Sequence, residues 1–239
     1  KATLDIKYTY SITAIDYDLD RDLDLYICRY NETRSAFPTP YHDAKNGPPN
    51  ALLRNDGSWS FSDVTEEVGL DENNTRYSFA ASWADYDSDG DPDLYVANDF
   101  GRNNLYENDG GHFSDVAPTY GVEDISAGMS VDWGDPDSDG DFDIYVGNMY
   151  SAAGNRIAYQ RQFQPEASEE KLSTLKRHAR GNTLFLNQSS GFTDESLSRG
   201  VTMGRWSWSS RFVDIDNDCM EDLVVANGYI TSDDATHDL

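Results

Sequence analysis

The hydrophobic residues of this chain fall in short runs that recur along its length. The clearest run is Leu94-Tyr-Val96, and similar triplets stand at Leu25-Tyr-Ile27, Ile144-Tyr-Val146 and Leu223-Val-Val225. Triplets of β-branched and aromatic residues between polar turn residues are typical of short strands, because such side chains pack well on a pleated surface. The pattern predicts an all-β protein.

A second repeated unit has an Asn-x-Leu opening, an Asn three residues later, and then a Phe-x-Asp segment. Its three copies begin at Asn50, Asn103 and Asn182, and the first two contain an Asn-Asp-Gly turn. Asn and Gly accept the positive φ of tight turns, so each copy predicts a hairpin. Hairpins that recur at the intervals between Asn50, Asn103 and Asn182 indicate β-propeller blades of about four antiparallel strands each.

The β pattern is interrupted by an insertion at about 150–180. Within it, Leu172, Leu175, Lys176 and Ala179 fall on one helical face and Ser168 can cap the start, so the sequence predicts a short helix. The insertion also carries six of the 18 basic residues: Arg156, Arg161, Lys171, Lys176, Arg177 and Arg180. These residues could contact an acidic partner, but packing against the protein's own acidic edge is the favoured interpretation.

Acidic residues dominate the composition, with 44 Asp and Glu against 18 Lys and Arg and a formal charge of −26. Such a charge repels phosphate backbones and anionic lipids, which argues against nucleic-acid and membrane partners. It also favours a divalent cation as counter-charge. The 15 Tyr, 10 Phe and 5 Trp argue for a folded core. Two cysteines, Cys28 and Cys219, predict no disulfide framework, and the absence of a long apolar run predicts no membrane insertion.

Most of the acidic chemistry lies in four loops of alternating aspartates: loop one (16–24), loop two (85–93), loop three (135–143) and loop four (214–222). Calcium takes several oxygen ligands, which a tight loop can supply from alternating side chains and one carbonyl. The predicted metal ligands are Asp16, Asp18, Asp20, Asp22 and Asp24; Asp85, Asp87, Asp89, Asp91 and Asp93; Asp135, Asp137, Asp139, Asp141 and Asp143; and Asp214, Asp216, Asp218, Met220 and Asp222. The seventh residue of each loop is assigned a carbonyl ligand. These residues are Asp22, Asp91, Asp141 and Met220.

The main competing motif is the EF-hand, whose loop needs a bidentate Glu at its twelfth position. The four loops have apolar residues there: Ile27, Val96, Val146 and Val225. Each loop therefore runs into a strand, and its ninth residue must close the site. Magnesium is disfavoured because it demands a tighter octahedron. Arg21 and Cys219 replace the glycine of loops one and four, so we expect strained turns and weaker calcium binding there, with up to four ions in all.

Three motifs carry a family resemblance. They are Asp-x-Asp-x-Asp-Gly-x-x-Asp before a strand, the segment Asn103-x-Leu-Tyr-x-Asn-Asp-Gly-Gly-x-Phe-x-Asp-Val116, and Arg180-Gly-Asn-x-Leu-Phe185. The chain resembles FG-GAP or VCBS repeat proteins, most closely the cartilage acidic protein and ASPIC-UnbV branch. The resemblance implies an integrin-α-like propeller with calcium in its blade loops, placed outside the cell, on its surface or in a periplasm. It also implies one domain or fragment over 1–239, a partial propeller that further segments or other chains complete.

The leading functional prediction is a calcium-stabilised scaffold for adhesion or assembly, with a protein or glycan partner on the blade loops. A polysaccharide lyase or hydrolase is the enzymatic alternative, weakened because the histidines are scattered and no H-E-x-x-H or G-x-S-x-G motif occurs. A lectin is the third possibility, with Trp59, Trp206 or Trp208 stacking on sugars. Trp83, Trp133 and Trp208 precede the metal loops, where core packing is the favoured role.

Overall fold

Each complete repeat folds into one four-stranded antiparallel sheet. The computed structural model describes residues 7–31 and 37–228. Blade one consists of β1 (Thr9–Ile15), β2 (Asp24–Arg29), β3 (Ala51–Asn55) and β4 (Phe61–Asp63). Blade two consists of β5 (Ser78–Ala84), β6 (Asp93–Asn98), β7 (Asn104–Asp109) and β8 (His112–Asp115). Blade three consists of β9 (Gly128–Gly134), β10 (Asp143–Asn148), β11 (Thr183–Leu186) and β12 (Thr193–Asp194). In the described part of blade four, β13 (Ser207–Val213) pairs with β14 (Asp222–Asn227).

The blades stand side by side in chain order. Their first strands are neighbours, with β1 beside β5, β5 beside β9, and β9 beside β13. Over the described ranges the four sheets form part of a propeller and not a closed barrel. The prediction of an all-β fold with antiparallel blades of about four strands is confirmed.

The core lies between the blades, and the alternation of each second strand explains it. In β6, Leu94 and Val96 pack with blade one, whereas Tyr95 and Ala97 pack with blade three. Because both faces of the strand are covered, all four side chains are buried. A strand that is covered on both faces has a nearly continuous run of apolar residues, which is the pattern that the sequence shows. The loops between first and second strands are therefore attached to rigid, buried strands.

The tryptophans divide between core and surface. Trp133 is 9% exposed inside the cluster between blades two and three, and Trp83 packs partly buried against the cluster between blades one and two. The core role predicted for these two is confirmed. Trp208 is half-buried, with its ring centroid 5.9 Å from that of Phe79. Trp59 is 90% exposed at the β3–β4 hairpin.

Three helices accompany the sheets in the described ranges: α1 (Ala117–Tyr120), α2 (Ala152–Ala158) and α3 (Glu169–Arg180). The predicted helix is α3, and Ser168 caps it by accepting a hydrogen bond from the Lys171 backbone N–H. Helix α2 was not predicted, because its sequence, with a central glycine, has no apolar periodicity. No helix in 7–31 or 37–228 is long and apolar enough to cross a membrane.

The basic residues of the insertion bind the protein's own carboxylates. Arg177 pairs with Asp124 at 2.9 Å and also with Asp194, while Arg180 pairs with Asp194 at 2.9 Å. These cations lower the pKa of Asp194 to about 2, against the opposing effect of its burial. The favoured interpretation of the basic insertion is confirmed for these two arginines. The sequence left the pairing of the two cysteines open, and in the structure Cys28 is a buried free thiol and Cys219 an exposed one.

Candidate metal centres in the aspartate loops

Each of the four loops connects the first and second strands of a blade, and each brings three carboxylates together. In every group, one oxygen from each residue lies within 4.8 Å of the others. The groups are Asp16, Asp18 and Asp24; Asp85, Asp87 and Asp93; Asp135, Asp137 and Asp143; and Asp214, Asp216 and Asp218. Two oxygens on opposite sides of a calcium ion lie about 4.6–5.2 Å apart, because each bond is about 2.3–2.6 Å long. One calcium ion can therefore contact all three carboxylates of a group.

All four loops make the same turn. Their fourth and sixth residues have positive φ, as in Ser88 at 62° and Gly90 at 101° in loop two. The sixth residue of loop one, Arg21, has φ 80°, and that of loop four, Cys219, has φ 71°. The expectation that these two residues take a conformation suited to glycine is confirmed. A non-glycine residue held there costs of the order of 1 kcal/mol or more.

The first aspartate of a loop organises the backbone before any ion is considered. Asp85 accepts the N–H of Asp89 at 3.0 Å with one oxygen and the N–H of Gly90 at 3.1 Å with the other. Asp135 and Asp214 make the corresponding pairs of bonds in loops three and four. Each carboxylate oxygen has a second lone pair, so these bonds leave capacity for a metal.

The fifth and seventh residues act differently from the first. Asp89 accepts the Asp91 N–H at 2.9 Å, and Asp20 and Asp139 make the equivalent bond in loops one and three. These three aspartates stand outside the carboxylate groups. A metal role for them remains a prediction, as it does for the carbonyls of the seventh residues. The Asp91 side chain accepts the Gly110 N–H at 2.8 Å, a hairpin contact that the sequence did not suggest.

The ninth aspartates of loops one to three, Asp24, Asp93 and Asp143, are fully buried. We call these three the closing aspartates. Asp93 accepts the Tyr86 N–H at 3.1 Å and the Asn108 N–H at 2.8 Å. Burial nevertheless raises the pKa of Asp93 and of Asp143 to about 7, and that of Asp24 to about 6. A nearby cation favours the ionised form of a buried carboxylate whose pKa is raised.

Three oxygens in the loops are buried without a hydrogen-bond partner: Asp16 Oδ1, Asp137 Oδ1 and Asp143 Oδ2. An unpaired buried acceptor is costly, so such atoms call for a donor or a cation. The donor set consists entirely of hard oxygens, which suits calcium and is poorly matched to soft transition metals. The residues present fit a calcium ion.

Two asparagines link loops one and two to the blade that follows each of them, and sequence reasoning missed these links. Asn108 donates from Nδ2 to the Tyr17 carbonyl at 3.1 Å, and Asn187 donates to the Tyr86 carbonyl at 3.0 Å. Both acceptors are second residues of the preceding blade's loop. The repeat pattern predicts only a turn role for Asn108 and no contact for Asn187. The signal that could have revealed them is Asn187, which recurs in register although its copy lacks the Asp-Gly turn.

The leading asparagine of the repeat has a similar structural task. Asn103 accepts the Asn98 N–H at 2.8 Å and donates to the Tyr95 hydroxyl at 3.2 Å. Asn182 accepts the Asn148 N–H at 2.8 Å in blade three. These bonds satisfy backbone groups at the end of the second strand, where the ladder stops. They hold the strand that carries the closing aspartate.

Loop four departs from this arrangement. Asp222 is exposed, although it still accepts the Ile215 N–H at 3.1 Å, and Asp218 takes its place in the carboxylate group. Glu221 instead reaches loop three and accepts the Asp135 N–H at 2.7 Å. Loop four therefore has the turn of the other loops without their buried closing residue, and among the described residues no third strand lies beside β14 to cover Asp222.

Comparison with known families agrees with the repeats seen here. The FG-GAP-like repeat matches residues 16–96 and 85–146, which include loops one to three and together span more than half of the chain. The match is to the repeat itself and specifies no branch of the family. No curated protein matches the chain. The chain belongs to the FG-GAP-like repeat family.

Proposed function

We propose that this protein is a calcium-stabilised scaffold whose blade loops bind a protein or glycan partner outside the cell, on its surface or in a periplasm. The observation that carries the proposal is the buried closing aspartate, which accepts a hydrogen bond at the end of its blade's third strand and is grouped with two further carboxylates. Three clustered carboxylates repel one another, and a doubly charged ion converts that repulsion into attraction.

Calcium in these loops would act on folding and not as a switch. Asn108 bonds the loop of blade one to the third strand of blade two, so an ordered loop also orders the blade interface. Metal binding that needs the folded loop adds its free energy to folding. At an ion concentration about 100 times Kd, each site contributes about 3 kcal/mol.

Exposed aromatic side chains support a binding role. Trp59 is 90% exposed, Phe37 78% and Tyr41 61%. Trp59 also has φ 60°, in the left-handed region that bulky residues rarely occupy, and such strain is found most often at functional positions. Trp59 is therefore the residue that we assign to glycan stacking if the partner is a sugar.

The finer assignments follow from the resemblance of the motifs. The resemblance of these motifs to the cartilage acidic protein and ASPIC-UnbV branch supports our proposal of an integrin-like role in adhesion. We propose that the role is non-catalytic, because the loop carboxylates are engaged in turn bonds and in the metal groups. Other chains or further segments would complete the propeller.

The test is thermal unfolding in calcium and in excess chelator, with Asp87→Asn and Asp109→Asn compared. Asp87 belongs to the group in loop two, whereas Asp109 is exposed and outside the groups. We expect calcium to raise Tm in the parent and in Asp109→Asn, and to raise it less in Asp87→Asn. An unchanged Tm in calcium would contradict the proposal.

The partner class is tested separately on a glycan array. We expect Trp59→Ala to lose any glycan signal and the control Leu197→Ala, at a residue 70% exposed, to keep it. A signal retained by Trp59→Ala would remove the assigned role of Trp59.

A further inference from the structure

A cavity of about 410 Å³ lies between the helical insertion and the ends of blades three and four. Ile157 from α2 and Leu175 from α3 line one side, and Phe163 from the segment between these helices joins them. Met149, directly after β10, and Trp206, directly before β13, line the other. Cavities of this volume with a largely apolar lining are typical of small-molecule sites.

The polar side-chain atoms of this largely apolar wall belong to four residues: Tyr41, Ser151, His178 and Trp206. His178 lines the cavity, and its Nδ1 is buried without a hydrogen-bond partner among the described residues. Burial lowers the pKa of His178, so the imidazole is neutral at pH 7 and can exchange a hydrogen bond with a neutral group. The ring of Tyr41 lies 5.9 Å from it, centroid to centroid, at the rim.

Contacts outside the cavity hold the two helices that cover it, α2 and α3, in place. Arg177 bonds Asp124, a residue of the segment between blades two and three, and Asn155 of α2 donates to the Ala179 carbonyl of α3. Protein interiors are otherwise close-packed. The polar contacts that hold α2 and α3 in place explain how so large a space can persist. Ile157 is 42% exposed and Tyr41 61% exposed, which gives the cavity an opening to solvent.

We propose that this cavity binds a compact, largely apolar small molecule that carries one hydrogen-bonding group, on the scale of an alkylphenol. Its apolar body packs against Met149, Leu175 and Trp206, and its polar group bonds the imidazole of His178. The site is separate from the aspartate loops, so it goes beyond the scaffold role.

The experiment uses the whole chain with calcium and two probes of the same shape, 4-ethylphenol and ethylbenzene. Binding is followed by NMR of methionine methyl groups, where Met149 reports the cavity and Met220, in loop four, is the internal control. We expect both probes to shift the Met149 signal saturably and to leave the Met220 signal in place. The hydroxyl should tighten binding about fivefold, as one added hydrogen bond does.

Three variants locate the site. His178→Phe should keep ethylbenzene binding and lose the preference for 4-ethylphenol. Leu175→Trp should fill the cavity and abolish binding of both probes, whereas Lys171→Trp, on an exposed position of the same helix, should not. Ile157→Trp blocks the opening and serves if Leu175→Trp fails to fold.

Two results would overturn the proposal. One is the absence of a saturable Met149 shift with either probe. The other is undiminished binding in both folded blocking variants, Leu175→Trp and Ile157→Trp.

Discussion

Loops two and four share one aspartate pattern and one turn but differ in what surrounds them. In loop two, Asp93 is buried and accepts the N–H of Asn108 from the third strand, and Gly90 supplies the positive φ. In loop four, Asp222 is exposed and Cys219 takes the same φ region. The motif therefore specifies the turn, whereas burial of the site depends on the neighbouring strand.

Loop one separates these two factors. Arg21 occupies the glycine position with φ 80°, yet Asp24 is buried and accepts N–H groups from Asn55 at 2.8 Å and Tyr17 at 3.2 Å. Loop one thus has the strained turn of loop four together with the closing strand of loop two. If the closing strand matters more, loop one should behave like loop two.

The largest expected effect comes from the closing residue. Asp93→Asn places an amide NH₂ against one of the two backbone N–H donors in a buried site and removes a ligand charge, so we expect a loss of about 3 kcal/mol in the free energy of unfolding. Asp222→Asn, on an exposed residue, should cost less than about 1 kcal/mol. Urea unfolding in calcium measures both. Equal losses of unfolding free energy in the two variants would contradict the importance given to burial of the closing aspartate.

The next effect tests the link between blades. Asn108→Ala removes the bonds to Tyr17 and Pro92 and leaves buried carbonyls unpaired, so we expect about 2 kcal/mol of destabilisation. Asn55→Ala is the matched control, because the Asn55 amide donates within its own blade to Leu23 at 3.3 Å. It should cost about 1 kcal/mol. The same urea measurement would contradict the link between blades if Asn55→Ala lost more free energy of unfolding than Asn108→Ala.

The smallest effect concerns the turn residue. Cys219→Gly and Arg21→Gly relieve positive φ and should each stabilise the protein in calcium by about 1 kcal/mol, with tighter calcium binding in calorimetry. Gly90→Ala should destabilise by about the same amount, because open space around its Cβ position leaves backbone strain as the only cost. Calorimetry of the parent should show loops two and three binding more tightly than loops one and four. Four equal affinities would contradict the role given to the glycine.

Local patterns predicted much of this molecule. The alternating aspartates and apolar triplets located all four loops and their following strands, because turn and strand preferences are encoded within a few residues. The exposure of Asp222 was not predictable from the motif, because in the described part of blade four no third strand pairs with β14. The bond from Asn108 to Tyr17 joins residues far apart in sequence, as does that from Arg177 to Asp124. Pairings at such separations leave no periodic signal in one sequence.

The most direct test of the central claim is a crystal structure of the calcium-bound protein, with anomalous scattering used to locate the ions. We predict strong peaks among the carboxylates of loops two and three, within about 2.3–2.6 Å of oxygens from Asp93 and Asp143, and weaker peaks in loops one and four. Empty loops two and three in crystals grown with saturating calcium would contradict the account.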